Sequence, residues 1–152
     1  MKMHKLKIPT WLASFIFAGA CLSCHSASSQ TEADLLMNKI ATATYYSWGM
    51  VGTPAKISDA ENATRQLRKS TNADQIYTYL LKSSNKDKVS VEGKLYMVCT
   101  LASMDIKIFS RAVAELKIND QEMSVLKGDI LSKVSTNKIL NQIQRDSCEI
   151  LK

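Results

Sequence analysis

An all-α domain is the fold this sequence predicts, and three observations predict it. Apolar residues recur at three- and four-residue spacing through most of the chain beyond residue 30. Polar breaks carrying helix-start patterns separate these stretches, among them Ser58-Asp-Ala-Glu61 and Thr71-Asn-Ala-Asp74. The connections are short, which sets successive helices antiparallel. The expected architecture is a small array, or an irregular bundle, of antiparallel helix pairs, with about six helices after a signal segment.

The first helix is expected over 31–48, with Leu36, Ile40, Ala43 or Thr44, and Trp48 on one face and Glu32 and Asp34 at its positive end. Gly49 to Pro54 ends it, with glycines for the turn and a proline that blocks continuation. Ser58 and Glu61 open the second helix, whose inward set is Ala60, Ala63, Thr64 and Leu67. The third carries the clearest periodicity, in Ala73, Ile76, Tyr77, Leu80 and Leu81, and a polar loop from Ser83 to Lys88 follows it. Ser90 starts a helix with Val91, Leu95, Val98, Cys99 and Ala102 inward. Asp105 caps the next, with Ile108, Phe109, Ala112, Val113 and Leu116 inward. Residues 118–134 read either as a short helix and loop or as a strand pair, through Met123, Val125, Leu126, Ile130 and Leu131. Ser135 or Thr136 begins a terminal helix carrying Ile139, Leu140, Ile143 and Ile150. The two successive pairs, 59–82 and 90–117, suggest HEAT-like stacking, although no fixed-period repeat supports it.

The organisation expected is a signal peptide over 1–20, a flexible tether over 21–30 and the helical domain over 31–152. Lys2, Lys5 and Lys7 precede a short apolar run from Ile8 to Ala20, too short to span a bilayer comfortably. Ala18-Gly19-Ala20 supplies small residues for cleavage before Cys21. Two readings compete at that bond. Either a signal peptidase releases a soluble periplasmic protein, or Cys21 is acylated as the first residue of a lipoprotein. In the second case Leu22 takes the place of an inner-membrane retention aspartate, and the protein faces the periplasm from the outer membrane. The membrane is then touched only through that lipid.

The formal charge is +6, and three of the lysines lie in the acid-free signal segment, leaving +3 for the rest. No basic stripe interleaved with aromatics appears, so nucleic acid is not an expected partner. The two histidines, His4 and His25, fall in the signal and the tether. Their positions exclude a histidine-based triad, a Cys-His pair and a histidine zinc site from the domain. No phosphate-cradling motif is present, and no cofactor or metal is expected. Cys99 and Cys148, an even pair in an exported domain, read as one disulfide or as two separately buried thiols.

The stretch Val91-Glu-Gly-Lys-Leu-Tyr-Met-Val-Cys-Thr-Leu-Ala102, followed by Asp105 and Phe109, looks like a recurring pattern of small exported bacterial proteins. With Tyr45 to Pro54 and Leu67 to Ser70, it resembles an uncharacterised family named from a gene near a microcin cluster. It is also loosely similar to HEAT-like proteins with a Gly-x-Leu-Tyr-x-x-Cys helix. The resemblance implies a helical exported domain and carries no catalytic residue. A second cysteine that the family places near Gly128 is replaced here by Asp129, which leaves Cys148 as the substitute partner of Cys99.

Among candidate sites, Tyr45, Tyr46 and Trp48 form either an interaction surface, for a protein or a stacked sugar, or simple packing of the first helix. The acid pairs Asp59 with Glu61 and Asp120 with Glu122 are explained by helix starts and a loop, and Ser90 with Lys94 by an N-cap. The expected function is that of a non-enzymatic cell-envelope protein that binds another envelope protein, of the immunity or assembly-accessory type. The alternatives are a peptidoglycan- or glycan-binding protein and an unrecognised envelope hydrolase.

Overall fold

The computed structural model describes residues 31–51, 56–82, 85, 87–116, 120–146 and 148. The readings of a signal peptide, a tether and acylation at Cys21 lie outside them. Among the described residues six helices and four strands follow one another: α1 (Glu32–Ala41), β1 (Tyr46–Val51), β2 (Lys56–Ile57), α2 (Asp59–Ser70), α3 (Ala73–Leu81), α4 (Val91–Met104), α5 (Ile106–Leu116), β3 (Glu122–Gly128), β4 (Ile130–Ser135) and α6 (Thr136–Asp146). The chain is predominantly helical. The all-α expectation is corrected by one sheet, ordered β2-β1-β3-β4, in which β1 and β3 are parallel and the outer pairings antiparallel.

The helix starts form where their capping residues stand. Ser58 Oγ accepts from the Glu61 N–H, Ser90 Oγ from the Gly93 N–H, and Asp105 Oδ1 from the Lys107 and Ile108 N–H groups. Asn72 caps α3 with a reciprocal bond from its backbone N–H to Gln75 Oε1. Thr31 and Asp34 make the same reciprocal box at the start of α1.

The first expected helix stops at Ala41, seven residues before Trp48. From Thr42 to Trp48 the residues are mainly β-branched or aromatic, types that fit a pleated half-buried surface better than a helix. They lead into β1, whose Tyr46 lies opposite Val125 of β3. The open choice at 118–134 resolves as a strand pair. Lys127 faces Ile130 across the two-residue turn Gly128–Asp129, and Gly128 sits at φ +59° as such turns require.

Helix α4 is the centre of the molecule. Its residues Gly93 and Leu95 through Leu101 are all buried, so it is apolar around most of its circumference rather than on one stripe. It packs against α1, α2, α3, α5, α6, β1 and β3. One expected pair, 90–117, is a packed α4–α5 hairpin. The other, 59–82, is not: α2 packs on α1 and α4, while α3 packs on α4 and α5. The architecture is therefore a set of helices gathered around α4, with the sheet at one side.

Gly93 makes one of these contacts possible. A Cβ there would stand 2.6 Å from the carbonyl oxygen of Ile40, at the end of α1. The Ser90 N–H donates to the Ala41 carbonyl at 2.9 Å beside it, so the start of α4 seats directly on the end of α1.

Candidate functional site

The aromatics selected from the sequence do not form one exposed surface, because Tyr46 is buried. Tyr46 is 3% exposed, its ring centroid 4.7 Å from that of Tyr96, and its hydroxyl 3.6 Å from Cys148 Sγ. In this state Tyr46 is a core residue and offers no surface to a partner. Tyr45 beside it is half-buried, and Trp48 occupies β1. The helical spacing that grouped them with Leu36 and Ile40 does not apply to a strand, where neighbours point to opposite faces.

Cys99 and Cys148 form a disulfide, with Cα atoms 5.4 Å apart. Both residues are buried, and the bridge joins the middle of α4 to the chain just beyond α6. A bridged sulfur carries no proton, so the Tyr46 hydroxyl is the donor in its contact with Cys148.

A buried polar cluster links β1, α2 and α4. The Ser47 N–H donates to the Tyr96 hydroxyl at 2.8 Å, and that hydroxyl reaches the Ser47 carbonyl at 3.2 Å. Ser47 Oγ donates to Ser58 Oγ at 2.9 Å, the same atom that caps α2. Burial pushes the Tyr96 phenol above its ordinary range, so it stays protonated and acts as a hydrogen-bonding strut rather than as a base. Glu61, fully buried, accepts from Arg65 Nη2 at 2.8 Å through one carboxylate oxygen. These groups are engaged with one another inside the fold.

Asp59, Asp120 and Ser90 have local structural roles. Asp59 approaches Lys39 at 3.7 Å on the surface. Asp120 accepts from the Ser135 hydroxyl and from the Asn137 N–H, bonds that hold its carboxyl below the usual aspartate range. Ser90 is the cap of α4. Among the described residues no group of three or more His, Cys, Asp or Glu side chains is placed to hold a metal.

Among the described residues a concave surface lies between α1 and α3, an open groove of about 750 Å³. One wall carries Asp34, Met37 and Asn38; the other carries Gln75, Thr78 and Tyr79, with Lys82 and Asn85 at one end. The Tyr79 hydroxyl donates to Asn38 Oδ1 at 2.7 Å and ties the walls together. Burial, with a smaller contribution from the Asp34 carboxylate, pushes the Tyr79 phenol upward, so this donor keeps its proton. Asn85 Nδ2 donates to the Tyr79 carbonyl at 3.2 Å and holds the end of the groove.

Sequence reasoning missed this groove because its walls lie some forty residues apart. Its polar positions look like any solvated helix face. The one available signal was Tyr79, a large aromatic outside the apolar stripe of α3.

Near the groove, on the α3–α5 face, Tyr77 donates to Glu115 at 2.7 Å and accepts from Arg111 at 3.1 Å. The Arg111 guanidinium lies 4.8 Å from the Tyr77 ring centroid. The Glu115 hydrogen bond is the main cause of the raised Tyr77 pKa. The cluster locks α3 to α5.

No helix of the described residues is long and apolar enough to cross a membrane. Comparison with protein families, curated proteins and solved structures gives no match to this chain.

Proposed function

We propose that the chain is a non-enzymatic protein of the cell envelope that holds a segment of another envelope protein in the groove between α1 and α3. The observation that carries this reading is the chemistry of the lining. Asn38, Gln75 and Asn85 contribute amides, and Thr78 and Tyr79 hydroxyls, to the groove's lining. Side-chain amides both donate and accept, which matches the alternating N–H and C=O groups of a polypeptide backbone. Asn38 meets Tyr79 through its oxygen, so its NH₂ group stays available as a donor toward the groove.

An immunity-type or assembly-accessory role fits such a groove, because both act by occupying a partner rather than by turning over a substrate. The N-terminal segment ending at Cys21 supports placement in the envelope, with lipid attached at that cysteine as the means of anchoring. A membership in the family named from a microcin gene cluster belongs to the same proposal and rests on the resemblance carried by Val91 to Ala102 with Asp105 and Phe109, Tyr45 to Pro54, and Leu67 to Ser70.

A photo-crosslinking amino acid at Thr78, in the groove, tests the reading in cells, with the exposed position Lys107 on α5 as the comparison. A discrete protein adduct from Thr78, absent from Lys107 and abolished by Asn38→Arg, supports it. Adducts of equal yield from both positions, or adducts only with cell-wall glycan, would overturn it.

A further inference from the structure

We propose that the partner segment lies extended along α3 and carries a basic and an acidic residue four positions apart. The basic residue meets Asp74 and Asp34, and the acidic residue meets Lys82. The pairing rests on the groove being the site that holds a partner.

The two ends of the groove differ in charge because α1 and α3 run in the same direction. Lys39 near the end of α1 approaches Asp59 at the start of α2 at 3.7 Å, so these two packed helices run in opposite senses. Helix α3 follows α2 directly, and the chain then returns to the end of α1, where the Ser90 N–H meets the Ala41 carbonyl. The first turns of α1 and α3 therefore share one end of the groove, with Asp34 and Asp74. Lys82, the cap residue at the end of α3, stands at the other. Each helix start carries about +0.5 of a charge, so two carboxylates leave their end negative. Lys82 likewise outweighs the half negative charge at the end of α3. Among the described residues neither Asp74 nor Lys82 has a side-chain partner, and both are exposed.

Helix geometry fixes the separation of the partner's charges. Asp74, Thr78 and Lys82 recur every fourth residue along one side of α3, and all three line the groove. That row rises about 6 Å per step and about 12 Å in all. Alternate residues of an extended chain face the same way about 6.6 Å apart, so positions four apart span about 13 Å. The residue midway between the two charges then meets Thr78. A helical segment would keep its backbone groups bonded to itself. An extended one offers N–H and C=O groups to the amides of Asn38 and Gln75. A neutral glycan offers neither charge. Complementarity at both ends, at a spacing that backbone geometry sets, makes the occupant an extended peptide of mixed charge.

The test is selection from a phage library of random short peptides on the full chain. Peptides that bind the parent and not Asn38→Arg are expected to be enriched in Lys or Arg four positions from Asp or Glu. The order of the two reports the direction of the segment. For a synthetic peptide of that consensus, exchanging its acid for lysine is expected to weaken binding to the parent about tenfold. The exchanged peptide is expected to regain that factor on Lys82→Glu, which separates loss of pairing from loss of folding. Groove-dependent peptides with no charge pair, with a pair at another spacing, or with no recovery on Lys82→Glu would overturn the pairing and leave the groove as a binding site. No enriched peptide, or peptides that bind Asn38→Arg as well as the parent, would overturn both.

Discussion

The backbone N–H of Ser47 in β1 donates to the phenolic oxygen of Tyr96 in α4 across 2.8 Å, with both residues withdrawn from solvent. This bond fixes the first strand to the central helix, and Ser58 extends it to the start of α2. A phenylalanine at 96 keeps the ring but removes the acceptor, leaving a buried N–H without its partner. Tyr96→Phe is expected to cost about 1–3 kcal/mol, the penalty of an unsatisfied buried donor. Urea unfolding followed by circular dichroism measures it. A loss below about 0.5 kcal/mol would mean that the cluster is not an energetic link.

Gly93 tests the seating of α4 on α1. Alanine is the better helix former by about 1 kcal/mol, and on an open helix the change would stabilise. Here the added carbon meets the Ile40 backbone oxygen, which cannot rotate away, at 2.6 Å. The clash outweighs the propensity gain, and Gly93→Ala is expected to lower stability by about 1–3 kcal/mol. A variant that melts higher than the parent would show that α4 and α1 separate at little cost.

These two positions, with Leu95 and Cys99, account for the Gly-x-Leu-Tyr-x-x-Cys pattern: a close approach, a core side chain, a buried strut and a bridge. The helices α2 to α6 were legible because capping side chains stand at or next to the start of each apolar period, as at Ser58, Asn72 and Ser90. Strand β1 was not, because Ile40, Thr44 and Trp48 fall at helical spacing by coincidence. The aromatic and β-branched run around them carried the competing signal. The hairpin was half legible: Met123 and Val125 alternate inward, and Gly128–Asp129 is a good two-residue turn, but Ile130 and Leu131 follow no alternation. The groove was illegible since it depends on α1 and α3 being neighbours, which local periodicity does not determine.

The Cys99–Cys148 bridge spans 49 residues of sequence and closes α5, the hairpin and α6 into one loop. In the chain-entropy account a loop of that length contributes about 4 kcal/mol by restricting the unfolded chain. Replacing both cysteines with alanine is expected to lower the unfolding free energy by roughly that amount, and to loosen α6 first, since the bridge ties the chain beyond it to α4. Hydrogen exchange should then quicken at Ile139, Leu140 and Ile143 more than at Leu95 and Val98. Uniform acceleration across both helices would contradict this order, and protein recovered from an oxidising compartment with two free thiols would remove its premise.

Asp120 makes the stability of the α6 start depend on pH. Its carboxylate accepts from the Ser135 hydroxyl, the larger cause, and from the Asn137 N–H in the first turn of α6, where the helix dipole also favours negative charge. Both bonds favour the ionised form, so the folded pKa lies below the unfolded one. A group shifted this way adds stability that is fully present above its unfolded pKa, about 3.9, and is lost as pH falls through the folded value. Asp120→Asn keeps an acceptor oxygen but carries no charge at any pH. The parent is therefore expected to melt above the variant from pH 7 down to about pH 5, with the gap closing progressively below pH 4. Thermal melts of the two proteins across that range read the gap directly. One that stays constant down to pH 2.5 would mean that the Ser135 and Asn137 bonds do not discriminate between the charged and neutral carboxyl.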